Sequence, residues 1–303
     1  MCLASEATTF FLGDSISIVN AEGTEAGVLR EDYAKSCRYK NLSCERPVES
    51  VSSHVWSAGP EKPELLVGRV HVWRLSLDAA RLGEESSSFS EAQGAVLAPD
   101  ELARASRFHF DRDRVRYVRC RSALRFLLAR YLGIAAPHIR FTYTPNGKPE
   151  LAADQNSRQL RFNVSHSGNM ALIAVGVQDA LGVDIEKIRP GVNTAELSER
   201  FFSARERAGL RVLPETMLVA AFYACWARKE AFLKAIGEGL GFPLEDFSVS
   251  VHPGQPPHLE EIKGDPNAGQ QWSLLDLEAA PHFKSAVAVE RAGASIAAFD
   301  LLA

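Results

Sequence analysis

The sequence predicts a mixed α/β fold of the α+β type, arranged as two halves that meet near Ala180. Three observations carry this expectation. Short runs such as Val70-His71-Val72-Trp73-Arg74-Leu75 alternate between two faces, the period of a half-buried strand. Leu124, Leu127, Leu128 and Tyr131 fall at i, i+3, i+4 and i+7, which is a buried helical stripe. Strand and helix signals then recur beyond Ala180 in a similar order. The 303 residues suit one large domain or two small ones.

In chain order, residues 1–65 mix Ser, Glu, Gly and Cys without periodicity, and Glu45 to Pro63 is rich in Pro, Ser and Glu. They are expected to form a disordered, dispensable extension. The two halves are then expected at 66–180 and 181–303. Order begins at the Val70 strand, Glu84 to Gln93 reads as a Ser-rich loop, and Ala98-Pro99-Asp100-Glu101-Leu102 reads as a helix start with acidic residues in its first turn. From Arg104 to Arg130 the chain is dense in arginine, including Arg107, Arg112, Arg114, Arg116, Arg119, Arg121 and Arg125, on a basic amphipathic helix. Such a face is either simply solvated, a phosphate-binding surface or a dock for an acidic partner.

Gly133 and Pro137 end that helix, Ile139 to Tyr143 reads as a strand, and Pro145-Asn146-Gly147 as a turn. Strands are expected near Arg161 to Ser165, Met170 to Val177 and Leu181 to Glu186. Helices are expected near Thr194 to Phe201, Ala204 to Leu210 and Met217 to Ile236. Further strands fall at Phe247 to Val251, Trp272 to Leu277 and Ser285 to Val289, while Pro253 to Gln270 is expected to be too polar and Pro-rich to pack.

Composition narrows the function classes. A 46% hydrophobic and 24% charged chain is ordinary for a soluble globular protein, and a net charge of -4 argues against a general nucleic-acid binder. Five cysteines form an odd set without metal-ligand spacing, which fits a reducing compartment. Cys120 and Cys225 sit in helical patterns and are expected in or near the core. Phe10-Phe11-Leu12 lacks the basic flank and the length of a signal peptide or a membrane span, so the expected location is cytoplasmic.

Two acidic segments carry the chemistry. In Gly182-Val183-Asp184-Ile185-Glu186 the alternation puts Asp184 and Glu186 on one face of a strand. In Trp226-Ala227-Arg228-Lys229-Glu230-Ala231-Phe232-Leu233-Lys234, the residues Trp226, Glu230 and Lys234 share one helical face. Together they read as a site for a hard cation with a lysine beside it. Magnesium is usually held by one or two carboxylates plus substrate phosphates, so the expected ligand is phosphorylated. Each segment taken alone has a plainer reading: a solvated strand edge, or a helix ion pair worth about 0.2–0.5 kcal/mol.

The ordered run of Gly147-Lys148-Pro149, Phe162-Asn163-Val164-Ser165-His166-Ser167-Gly168, the Gly182 segment, Phe201-Phe202-Ser203 with Glu206, and the Trp226 helix closing in Gly237-Glu238-Gly239-Leu240 resembles the Sfp-type 4'-phosphopantetheinyl transferases. The likeness spans roughly Trp73 to Glu290. It implies two similar halves related by pseudo-twofold symmetry, each a small antiparallel sheet packed with helices, with the active site between them. It implies magnesium-dependent transfer of 4'-phosphopantetheine from coenzyme A to a serine of an apo acyl or peptidyl carrier protein, releasing adenosine 3',5'-bisphosphate.

Residue by residue, the resemblance makes Asp184, Glu186 and Glu230 metal ligands, with Glu186 the least indispensable. Lys234 would contact the pyrophosphate, and Glu230, Glu206 or a water would take the serine proton. Gly147, Lys148, Pro149, Ser165 and His166 match nucleotide-contacting positions, and Arg104 aligns loosely with a basic one. Trp226 is expected to be packing that orients the Glu230 face. Two halves in one chain imply a monomer that needs neither nucleic acid nor membrane. Two other readings compete with turnover: a coenzyme-binding module without catalysis, and a glycosidase with paired carboxylates.

Overall fold

The computed structural model describes residues 55–78, 94–238, 241–252 and 255–301. The expectations for residues 1–54, for the Ser-rich loop and for Gly239-Leu240 lie outside them. The described chain is a mixed α/β structure with five α-helices: α1 (Pro99–Ala105), α2 (Asp111–Leu132), α3 (Thr194–Phe201), α4 (Ala204–Arg211) and α5 (Glu215–Ile236). Its strands are β1 (Ser57–Ala58), β2 (Arg69–Ser76), β3 (Phe141–Tyr143), β4 (Pro149–Leu151), β5 (Leu160–Ser167), β6 (Met170–Val177), β7 (Leu181–Lys187), β8 (Phe247–Val249), β9 (Leu259–Ile262), β10 (Ser273–Leu277), β11 (Phe283–Val289) and β12 (Ser295–Asp300).

The same connectivity is used twice. In the first half, β2 leads to the long helix α2, then the β3–β4 hairpin, then β5 and β6, and the strands assemble as β2-β6-β5. In the second, β7 leads to the equally long α5, then the β8–β9 hairpin, then β10 and β11, assembled as β7-β11-β10. Both three-stranded units are antiparallel throughout.

Alternation along the strands decides which face goes where. Val70 and Val72 of β2 and Leu172 and Ala174 of β6 pack with Leu181, Val183 and Ile185 of β7 and Val287 and Val289 of β11. The two sheets therefore share one apolar layer. The intervening residues, Trp73, Ile173 and Val175, face Leu124, Leu127, Leu128 and Tyr131 of α2. On the far side of the second sheet, Ala286 and Ala288 meet α5 through Phe222, Ala227, Ala231 and Phe232.

Several expectations are corrected here. The segment just before residue 65 is not a loose extension: β1 pairs in parallel with β12, with Ser57 opposite Phe299, and Trp56 donates its indole N–H to the Glu278 carbonyl at 2.8 Å. A Cβ on Gly59 would lie 1.9 Å from the Trp73 ring, so the chain is pressed onto the sheet there. The second half is not closed at its C-terminal end either, because β12 leaves it to lie beside β2 in the first half's sheet, giving the order β1-β12-β2-β6-β5. Part of the polar Pro253 to Gln270 stretch packs as well: β9 pairs with β8 and buries Leu259. Too few apolar residues stand in β9 to reveal it by periodicity, and β12 fell beyond the last expected strand.

Candidate active site

The site forms where β5, β7 and α5 meet. Gly182 makes the approach possible, since a Cβ there would sit 2.0 Å from the Ala231 carbonyl oxygen and 2.5 Å from the Ala235 nitrogen. The α5 backbone lies directly on β7 at this point. Asp184 and Glu186 share the face of β7 that carries Gly182, so they look toward the helix.

Lys234 reaches across from α5 to Asp184, its ammonium 2.6 Å from Oδ1. Ser165 closes the contact from β5. Its hydroxyl donates to the same Asp184 oxygen at 2.8 Å and accepts from Lys234 Nζ at 3.0 Å and from the Ile185 N–H at 3.3 Å. A hydroxyl has one donor and two lone pairs, so Ser165 is fully engaged. Two residues to either side, Asn163 Oδ1 accepts from the Val183 N–H at 2.9 Å, and the Ser167 hydroxyl accepts from the Lys187 N–H at 3.1 Å while donating to Glu186 Oε2 at 3.3 Å. Side chains of β5 thus satisfy alternate N–H groups on the edge of β7 not used by β11, and two of them hold carboxylates. The Asn163-Val164-Ser165-His166-Ser167 alternation carried this signal, since its polar residues stand two apart on one face.

Asp184 Oδ2 is buried and has no hydrogen-bond partner. Around it, burial and then the charge of Asp184 push the Glu186 carboxyl up to about 8. Burial pushes Glu230 up to about 7, with Asp184 adding to the shift and Lys234 opposing it. Burial alone would lower Lys234, but Asp184 and Glu230 outweigh it and hold the ammonium above its usual range. Three carboxyl groups face one lysine, so ionising all of them without another cation is unfavourable, and one buried oxygen is left unpaired. Among the described residues no three His, Cys, Asp or Glu side chains already converge as a metal cluster. The donor set nonetheless suits a hard dication, which takes oxygen ligands and is completed by substrate phosphates and water.

The other expected residues are placed differently. Lys148 does not extend into open space: its ammonium donates to the carbonyls of Leu181, Lys234 and Ala235, and burial brings it down to about 8. Gly147 has a φ of 77°, the left-handed conformation that the turn before Lys148 requires, and Pro149 opens β4 opposite Tyr143. His166 is exposed, on the face of β5 opposite Ser165. Arg104 is exposed on α1, its guanidinium 5.7 Å from the centre of the Tyr117 ring. Of the arginine-rich stretch, Arg121 and Arg125 are tied to the buried Glu101, and Arg125 also donates to the Ala136 and Ile139 carbonyls.

Glu206 lies away from the acidic cluster, in the core. Its carboxylate accepts from Lys229 Nζ at 2.7 and 2.8 Å, from the Ser203 N–H and from the Val249 N–H, and neither charged side chain is exposed. Trp226 is packed against Phe201, Phe202 and Phe222, as its place on the helix led us to expect.

The described residues thus form a doubled α/β unit with acidic side chains and a lysine gathered where β5 of the first half meets β7 and α5 of the second. Residues 85–178 match the family model described as 4'-phosphopantetheinyl transferase, N-terminal, and residues 180–289 match that of the 4'-phosphopantetheinyl transferase superfamily. The chain is 37% identical over 236 residues to the 4'-phosphopantetheinyl transferase HetI of Nostoc sp., covering 78% of this chain and 94% of that protein. It is 28% identical over 216 residues to the 4'-phosphopantetheinyl transferase Sfp of Bacillus subtilis, covering 71% and 90% respectively. With the human L-aminoadipate-semialdehyde dehydrogenase-phosphopantetheinyl transferase it shares 32% identity over 208 residues, covering 64% and 67%. The chain belongs to the 4'-phosphopantetheinyl transferase family, in its two-domain form. It is an enzyme that transfers phosphopantetheine to carrier proteins, with coenzyme A as the family's substrate.

Proposed function

We propose that this chain is a magnesium-dependent holo-carrier-protein synthase whose reaction runs at the β5–β7–α5 seam, with the two halves related by an approximate twofold axis. The observation that carries the reading is the unpaired, buried Asp184 Oδ2 amid the raised carboxyls of Glu186 and Glu230. Asp184, Glu186 and Glu230 would hold the metal, which when bound neutralises charge on the coenzyme's pyrophosphate. Lys234, already beside Asp184, supplies a point charge to a pyrophosphate oxygen. Ser165 and Ser167 keep the two strand carboxylates oriented, and α5 carries Glu230 to the same place.

Phosphoryl transfer to a serine needs an acceptor for the hydroxyl proton. Glu206 is sealed in the core with both oxygens engaged, so it is not that acceptor. We assign the proton to Glu230, and the nucleotide end of the coenzyme to the exposed His166, with Arg104 as a further basic contact. Buried free Cys120 and Cys225 accord with a reducing, cytoplasmic location, the doubled unit within one chain accords with a monomer, and among the described residues no helix is long and apolar enough to cross a membrane.

The test is incubation with an apo acyl or peptidyl carrier protein and coenzyme A, with and without magnesium, followed by mass spectrometry of the carrier and assay of adenosine 3',5'-bisphosphate. A pantetheine-sized mass gain that depends on magnesium is expected; carrier modification at full rate under chelation would refute the metal site. For the base, Glu230→Gln should keep coenzyme binding and lose kcat by about a hundred- to ten-thousandfold. A Glu230→Gln enzyme with unchanged kcat would leave a water as the acceptor.

A further inference from the structure

The tip of the β3–β4 hairpin belongs to the first half, yet it is bonded to the end of α5 in the second. A helix leaves its last four carbonyls without intrahelical donors. In α5 the Leu233 carbonyl is taken by the Gly237 N–H at 3.0 Å, at a left-handed C-terminal glycine with a φ of 75°. The next two carbonyls, of Lys234 and Ala235, are both taken by the Lys148 ammonium. Its remaining bond goes to the Leu181 carbonyl, 3.2 Å away, at the start of β7 and next to Gly182. Three donors meet three acceptors, so the ammonium is saturated. Asn146 adds a second tie, its Nδ2 donating to the Gly237 carbonyl at 2.9 Å.

The turn is shaped for this. The Gly147 N–H donates to the Thr144 carbonyl at 2.8 Å, the Thr144 N–H to the Lys148 carbonyl at 2.9 Å, and the Lys148 N–H to Thr144 Oγ1 at 3.1 Å. Asn146 and Lys148 consequently leave the loop together toward α5. A cation at this helix end is also favoured by the partial negative charge of the terminal carbonyls.

We infer that the Asn146–Lys148 tip is a clamp that caps α5 across the seam, and that Lys148 is a positioning residue for Lys234 and Glu230 rather than a ligand of the coenzyme's phosphates. The geometry is direct: Lys148 holds the backbone carbonyl of the residue whose own ammonium holds Asp184. The same atom fixes the start of the strand bearing Asp184. This inference rests on the transferase reading for its kinetic consequences only; the capping itself is testable without substrate.

The experiment compares Lys148→Met, Lys148→Arg and Asn146→Ala with the full wild-type chain. Amide hydrogen exchange is followed first, without coenzyme. In Lys148→Met the last turn of α5 should exchange about tenfold faster or more, with a smaller change of the same sign in Asn146→Ala. Kinetics with coenzyme A and with 3'-dephospho-coenzyme A should then show kcat reduced about tenfold or more, the coenzyme KM within about twofold, and the preference between the two substrates unchanged. Lys148→Arg, which keeps donors at the helix end, should recover most of both effects. A coenzyme KM raised tenfold with exchange unaltered, or a collapsed preference between the two substrates, would overturn the inference and make Lys148 a phosphate ligand. Unchanged exchange and kcat in Asn146→Ala would also count against the clamp. A transferase reading that failed would leave the exchange result standing, so the two failures can be told apart.

Discussion

Helix α5 brings two lysines to two carboxylates, and the pairs differ in what surrounds them. Lys229 and Glu206 have no exposed side-chain surface, and every strong acceptor direction of the carboxylate is filled by an ammonium or a backbone N–H. Lys234 and Asp184 are just as close, at 2.6 Å, yet Asp184 keeps one buried oxygen without a partner, and Glu186 and Glu230 share the same lysine, with their carboxyls held above the ordinary range. The first pair is closed and joins α5 to α4 and β8. The second is open, with an unfilled oxygen and two carboxyls whose ionisation awaits a further cation, as the proposed dication would supply. Ion-pair distance alone does not separate a structural pair from a functional one; the count of unfilled acceptors and uncancelled charges does.

The largest expected effect lies at the open pair. Asp184→Ala and Glu230→Ala should each reduce carrier modification by about a thousandfold or more while leaving the circular dichroism spectrum intact, and Glu186→Ala should be milder. Near-normal modification by Asp184→Ala would erase the distinction between the pairs. At the closed pair the consequence should be in stability. Glu206→Ala leaves Lys229 buried and unpaired, and is expected to cost about 3–5 kcal/mol in urea unfolding. The double variant Glu206→Leu with Lys229→Met should recover much of that loss, and a Glu206→Ala chain as stable as wild type would show that the pair is not needed to hold the helix.

A cut after residue 64 removes Trp56, which donates to Glu278, lies 4.6 Å beneath Arg74 and precedes β1. We expect it to cost on the order of 2–4 kcal/mol of stability relative to a chain cut after residue 54. Equal melting temperatures for the two truncations would restore the expectation of a dispensable segment up to residue 64.

The last effect is pH dependence. Glu186 and Glu230 have folded-state values of about 8 and about 7, above their ordinary value of 4.5. Their contribution is therefore fully present below pH 4.5 and is lost as pH rises through about 7 and 8. His71, buried beside Tyr131, is lowered to about 4 from 6.5, so its contribution is present above 6.5 and is lost as pH falls through about 4. Without metal, the melting temperature should fall on the alkaline side, and Glu186→Gln should flatten that limb. Magnesium added together with coenzyme A should flatten it too; an alkaline limb unchanged in Glu186→Gln would show that this carboxyl does not supply it.

Much of the candidate site's local geometry was legible in the chain itself. Strand period placed Asp184 and Glu186 on one face, helix period placed Trp226, Glu230 and Lys234 on another, and the spacing of the long helices and of β6 needed no partner to be read. Those signals are local: they depend on backbone geometry that a few consecutive residues fix. Which group meets which across the fold is not local. Tertiary packing alone gave Ser165 to Asp184 and Lys234, Lys148 to the end of α5, and Glu206 to Lys229. It also carried β12 and β1 into the first half's sheet. Gly182 shows the physical reason. Its missing side chain is plain in the sequence, but only the docked helix, with a backbone oxygen where a Cβ would stand, reveals that the absence sets the distance between the two sides of the site.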